Sequence, residues 1–99
     1  MSHNDMNKID YNAMEDEEVL TYVHSGCKRG MEHLIEKYKP LVRAKARSYF
    51  MVGADREDIV QEGMIGLFKA VRDYKDDKSI PFRVFAEMCI TRQIITAVK

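Results

Sequence analysis

The sequence predicts an all-α protein, a compact helical bundle of about four to five helices. Three observations predict it. Apolar residues recur at steps of three and four along most of the chain, no stretch alternates apolar with polar residues as a strand would, and no Asn-Gly or Asp-Gly pair marks a hairpin. With 99 residues, 45% apolar and 32% charged, the chain has room for one domain whose core must be continuous to be stable.

Residues 1–13 are polar and lack any period, which predicts a flexible leader ahead of a single helical domain over 14–99. From Glu15 to about Ser25, Val19, Leu20 and Val23 fall on one helical face, and Gly26 is a natural stop. A second segment, about Lys28 to Lys39, places Met31, Leu34, Ile35 and Tyr38 at helical spacing. Pro40 can open a new turn there or kink the chain. Beyond it Leu41, Val42, Ala44, Ala46, Tyr49 and Phe50 continue a helix to about Val52, stopped by Gly53. Lys37, Arg43, Lys45 and Arg47 give that element a basic side.

Asp55 is a good N-cap for the next helix, and Asp58 stands where an acid complements the helix dipole. Its apolar stripe is Val60, Met64, Leu67, Phe68 and Val71. Gly63 and Gly66 interrupt it at about 1 kcal/mol each relative to alanine, a cost that reads either as close approach by a neighbouring backbone or as a tolerated accident. Tyr74 to Ser79 is a polar connector, and Pro81 suits the first turn of a last helix running to the end of the chain.

A formal net charge of zero hides an asymmetry. Six acids face one base, Lys8, between Met1 and Ser25, while 15 basic and 10 acidic residues follow from Gly26 onward, a net of +5. An acidic leader and a basic body able to meet a polyanion is one reading; a solvated surface of uneven charge is the other. No apolar run approaches the roughly 20 residues of a membrane span. The opening MSHNDMNK has no apolar core of a secretory signal, so the expected location is the cytoplasm. Cys27 and Cys89 stand alone without a CxxC or a histidine at ligand spacing, and read as buried or half-buried small residues rather than as a disulfide or a metal site.

Two stretches invite a functional reading. In DREDIVQEGMIGLFKAVRDYK (55–75), Asp58, Gln61 and Glu62 lie opposite the apolar stripe, with Asp58 and Glu62 one turn apart. Such carboxylates could be a solvated face, an acid–base or metal pair, or a docking surface for a basic partner. No His, Ser or Cys constellation accompanies them, so no catalytic residue, metal or cofactor is assigned and the protein is not expected to be an enzyme. In IPFRVFAEMCITRQIITAVK (80–99), Phe82, Phe85 and Met88 would ordinarily be a core stripe. Arg83, Thr91, Arg92, Gln93, Thr96 and Lys99 share that helix, and aromatics beside bases and amides suit single-stranded nucleic acid.

The residues themselves say more than their spacing. DIVQEGMIGLFKAV (58–71), followed after a polar connector by FRVFAEMCITRQI (82–94), resembles regions 2.2 to 2.4 of bacterial RNA polymerase sigma factors. LIEKYKPLVRAKARSYF (34–50) resembles their region 2.1, and the likeness as a whole runs from about Glu15 to Lys99. Within the family, RAKARSYFMVGADREDIVQEGMIGL and CITRQIITA look most like the sigma-H group of alternative factors of spore-forming and related bacteria. The resemblance implies a region 2 helical domain that binds the coiled coil of the polymerase β′ subunit and recognises and melts the promoter −10 element.

On that basis Asp58, Gln61, Glu62 and Met64 match polymerase-contacting positions. Phe82 and Phe85 match aromatics that act in promoter melting, Phe85 where a flipped adenine is stacked, and Arg92 and Ile95 match positions near the upstream edge of the −10 element. Met88, Thr91, Gln93, Thr96 and Lys99 are candidate DNA-contacting neighbours. The implied partners are core polymerase, the non-template single strand and an anti-sigma factor, with no membrane. Housekeeping factors carry two adjacent tryptophans where this chain has Met88 and Cys89, which favours an alternative factor with a weaker wedge into the duplex. A helical adaptor that binds protein alone, and a stand-alone helix-turn-helix regulator, are the competing classes.

Overall fold

The computed structural model describes residues 9–49, 55–75 and 79–98. They form a short 3-10 turn, Tyr11–Ala13, and four helices: α1 (Asp16–His24), α2 (Lys28–Ser48), α3 (Arg56–Asp73) and α4 (Phe82–Val98). No strand occurs among the described residues. The all-α expectation holds.

Local chemistry sets most of the boundaries. Asp10 caps the 3-10 turn, accepting from the Asn12 N–H at 3.1 Å. Gly26 ends α1 at φ 103°, the left-handed region where glycine has no Cβ penalty. Around it the Gly26 N–H bonds to the Val23 carbonyl at 2.9 Å and the Cys27 N–H to the Tyr22 carbonyl at 3.0 Å, the paired bonds of a Schellman stop. Cys27 then caps α2, its Sγ accepting from the Gly30 N–H at 3.4 Å. Asp55 caps α3 as expected, accepting from the Glu57 N–H at 2.8 Å.

Three expectations need correcting. The first concerns the leader: residues 1–8 lie outside the described residues, but residues 11–13 are a structured turn. The Tyr11 hydroxyl is 3.1 Å from Cys27 Sγ and its ring lies 5.6 Å from that of His33. That hydrogen bond lowers the Cys27 thiol below its ordinary value and raises the Tyr11 phenol.

Second, α2 runs unbroken through Pro40. Gly30, Leu34, Tyr38, Val42 and Ala46 are buried at steps of four on both sides of the proline. A break would pull Val42 and Ala46 out of the core, while exposed Pro40 leaves the orphaned carbonyl of the preceding turn on the water side. The helix ends at Ser48; the expected stop at Gly53 lies outside the described residues.

Third, the buried face of α3 is Ile59, Gly63, Gly66, Leu67, Ala70 and Val71. Val60 and Met64 sit half-buried at its margin, and Phe68 is 52% exposed. Small residues share that inward face with Ile59, Leu67 and Val71. A Cβ on Gly63 would stand 2.7 Å from Val42 Cγ1, and one on Gly66 would stand 2.7 Å from the Cys89 carbonyl oxygen and 2.8 Å from Ile90 Cα. The glycines let α3 lie directly on α2 and α4, so close approach is the reading of the two that holds.

The centre of the core is Phe82, 0% exposed. Its ring meets Tyr38 at 5.5 Å and 72° and Tyr74 at 5.4 Å and 87°, edge-on contacts that suit ring quadrupoles. Ala86, Ile90 and Ile94 follow it at steps of four along α4. Polar ties then fix α1. Asp16 accepts from the Tyr38 hydroxyl and from Lys37 Nζ at 2.6 Å, Glu17 accepts the Phe82 N–H at 2.9 Å, and His24 Nε2–H donates to the Val71 carbonyl at 2.8 Å. Part of the acidic segment is thus consumed inside the fold, capping α4 and anchoring α2.

Candidate docking face and nucleic-acid interface

Seventeen residues make up α4, and its inward stripe of Phe82, Ala86, Ile90 and Ile94 leaves the opposite side to solvent. There Val84, Met88, Thr91, Arg92, Ile95 and Thr96, with Glu87 at the side, line a shallow trough of about 550 Å³. Five candidate DNA contacts therefore meet in one place: Met88, Thr91, Arg92, Ile95 and Thr96. Met88 is 50% exposed and offers a polarizable apolar group to the trough. Arg92 is exposed and forms no ion pair among the described residues. The Thr96 hydroxyl donates to the Arg92 carbonyl at 2.9 Å, which spends its proton and turns lone pairs outward. Glu87 would repel a phosphate, but Lys45 of α2 sits 3.3 Å from its carboxylate and cancels that charge locally.

The remaining candidates are placed differently. Phe82 is sealed in the core, so its role as a surface contact is corrected: the ring that sequence pattern could read either way is the packing centre between Tyr38 and Tyr74. Phe85 is half-buried, 5.5 Å from Tyr74 at 58°, at the edge of the same aromatic group. Gln93 faces α3, where its Nε2–H donates to Glu62 at 2.9 Å and its Oε1 accepts from Lys69 Nζ at 3.1 Å. Lys99 lies outside the described residues.

On α3, Asp58 and Gln61 are exposed, whereas Glu62 and Met64 are half-buried. Sequence periodicity missed two members of this face. Ile65 (44% exposed) and Phe68 continue outward from Asp58 and Gln61 at helical steps of four and three. An exposed isoleucine and phenylalanine thus continue the row that Asp58 and Gln61 begin. The signal that could have found them was the glycine pair, which marks the opposite side of the helix as the close-packed one.

Residues 34–99 match the sigma-70 region 2 family. The chain belongs to that family. It is 61% identical, over 94% of its length, to the RNA polymerase sigma-H factor of Bacillus subtilis (strain 168), and 63% identical over 87% to that of Bacillus licheniformis. It is 34% identical over 77% of its length to the RNA polymerase sigma-B factor of Bacillus anthracis. These alignments cover 43%, 39% and 30% of the respective relatives, so the chain spans about two fifths of the length of the sigma-H factors it matches.

Met88 and Cys89 are neighbours in sequence but differ in exposure, Met88 being 50% exposed and Cys89 half-buried. Burial pushes the Cys89 thiol up. With the Cys89 carbonyl oxygen already 2.7 Å from where a Cβ on Gly66 would stand, α3 and α4 pack here backbone to backbone. The outward group at this point is Met88 alone.

Proposed function

We propose that this region 2 domain serves an RNA polymerase sigma factor in transcription initiation, docking on core polymerase through α3 and receiving the promoter −10 element on α4. The observation that carries the reading is the outward trough of α4, which gathers Met88, Thr91, Arg92, Ile95 and Thr96 while the outer face of α3 carries acid, amide and exposed apolar groups.

Asp58 and Gln61 with Ile65 and Phe68 suit a partner that is basic at its rim and apolar at its centre, and the coiled coil of the β′ subunit is the proposed one. Docking fixes α4 against promoter DNA, where Arg92 neutralises phosphate and releases counterions. Phe85, open on one side, accepts a base leaving the stack. Stacking on an aromatic ring is worth about 1–3 kcal/mol, enough to offset much of the few kcal/mol of unstacking. Met88 adds an apolar contact in place of a broad aromatic wedge, which fits an alternative factor of a spore-forming or related bacterium. The protein carries out no bond chemistry of its own in this role. It works in the cytoplasm beside polymerase, and no described helix is long and apolar enough to cross a membrane.

A second reading draws on the half-burial of Phe85: α4 takes no bases and the domain only tethers polymerase. One experiment separates the two. The chain is captured on core polymerase and the complex is crosslinked to a −10 non-template oligonucleotide and to a scrambled strand. Preferential crosslinking to the −10 strand supports promoter recognition. Capture with equal crosslinking to both strands selects the tether, and failure of capture removes both.

A further inference from the structure

The trough on α4 has two edges of different make. Arg92 and Thr96 border it on one side and Glu87 on the other, where Lys45 of α2 reaches to 3.3 Å from the carboxylate. Five positions separate Glu87 from Arg92, which sets them about 140° apart around α4 and about 7.5 Å apart along it. A cation therefore stands on each flank of the helix, one carried by α4 itself and one supplied by α2.

The Lys45–Glu87 pair makes a poor brace. Both side chains are open to solvent, 31% and 41%, and an ion pair so exposed contributes little to stability. Lys45 is nonetheless well anchored: Val42 and Ala46 of the same helix are in the core, which fixes its backbone beside α4. Its ammonium has three donors, and Glu87 takes one, which leaves two for an anion at the edge of the trough.

We propose that Lys45 is a second phosphate contact of the DNA-binding face, meeting the strand of the promoter duplex opposite to the one that Arg92 meets. The inference rests on the reading of α4 as the face that receives the −10 element. A helix with its side chains is about 10–12 Å across, and the major groove of a duplex is about 12 Å wide. A helix seated there has a row of phosphates along each flank. Arg92 answers one row. On the other flank the carboxylate of Glu87 faces the phosphates and repels them, and Lys45 is the cation that reverses this. Held by Glu87 before DNA arrives, its flexible stem loses less freedom on binding.

The test measures the affinity of the chain in complex with core RNA polymerase, purified from Bacillus subtilis, for two probes over a range of salt. One is a fork, duplex at the upstream edge of the −10 element with the non-template strand unpaired beyond it; the other is that non-template strand alone. Lys45→Met keeps an apolar stem and removes the charge. It should weaken binding to the fork severalfold near 0.1 M salt and lower the slope of log affinity against log salt by about 0.9, the value for one phosphate. Binding to the lone strand, which has no opposite backbone, should be unchanged. Lys45→Arg, which keeps the charge, should bind the fork as the parent does.

Unchanged fork affinity in Lys45→Met overturns the proposal, as do an equal loss on both probes and an equal loss in Lys45→Arg. In a Glu87→Gln background Lys45→Met should still weaken the fork; no effect there would mean that Lys45 only masks Glu87, which also overturns it. Arg92→Ala separates this inference from the reading beneath it and should weaken both probes. If neither probe responds to Arg92→Ala, the reading of α4 fails. If both respond to it and neither responds to Lys45→Met, that reading stands and the role of Lys45 alone falls.

Discussion

Tyr38 shows how much a single residue can carry. Its ring packs edge-on against Phe82 in the core, and its hydroxyl donates to Asp16, which Lys37 also holds. Burial first, then the Asp16 bond, raises its phenol well above the usual value near 10. The proton is therefore held more tightly in the folded state, and this contribution to stability is whole below about pH 10 and lost as pH rises beyond it. Tyr38→Phe should cost about 1–2 kcal/mol at neutral pH by removing the hydrogen bond. It should also flatten the alkaline part of a plot of thermal midpoint against pH; a variant that falls as steeply as the parent above pH 10 would show that other groups cause the decline. Gly66 makes the opposite point. Alanine would return about 1 kcal/mol of helix propensity, but its Cβ would meet the Cys89 carbonyl and Ile90 Cα, backbone atoms that cannot step aside. Gly66→Ala should therefore destabilise by about 1–3 kcal/mol net, visible as a lower midpoint in thermal unfolding, and an unchanged midpoint would mean that α3 and α4 can separate at little cost.

At the scale of elements, α4 divides its labour by face. The inward positions at steps of four hold the bundle together, and the outward ones make the trough. Arg92→Ala should thus lower crosslinking of the polymerase complex to the −10 strand severalfold and reduce the salt dependence of that step, because one phosphate contact is lost. Affinity for core polymerase and the thermal midpoint should stay as they were; a parallel loss of polymerase affinity would show that the trough and the docking face are not separate. The sequence was informative here only in part. Phe82, Phe85, Met88 and Arg92 are all visible as candidates in the string, but period alone cannot rank them. In a helix rich in apolar residues the inward direction is decided by what lies opposite, and opposite Phe82 are Tyr38 and Tyr74, the first 44 residues away along the chain.

For the molecule as a whole, α1 acts as a strap. It is nine residues long, too short to be stable alone in water. It is held by bonds to all three longer helices: Asp16 to Tyr38 of α2, His24 to the Val71 carbonyl of α3, and Glu17 to the first N–H of α4. With α1 so placed, Val23, Cys27 and Met31 form one wall of a hollow whose other wall is Phe68. Phe68→Ser tests the outward assignment directly. A buried phenylalanine would lose several kcal/mol on truncation, whereas this one should change the thermal midpoint little and weaken polymerase capture. Marked destabilisation would return Phe68 to the core and narrow the docking face to its polar residues.

By itself the sequence determined the fold class, the helix ends written in Gly26 and Asp55, and the family to which residues 34–99 belong. These depend on spacing, on caps and on local residue chemistry, all of which act within a few residues. Tertiary structure alone decided that Phe82 is core and Phe68 is surface, that α2 passes through Pro40, and that Gln93 turns to Glu62 instead of outward. Each of those choices is a competition between two faces of one helix. The winner is the face that meets a complementary neighbour brought from elsewhere in the chain: an aromatic pair for Phe82, a glycine gap for Gln93.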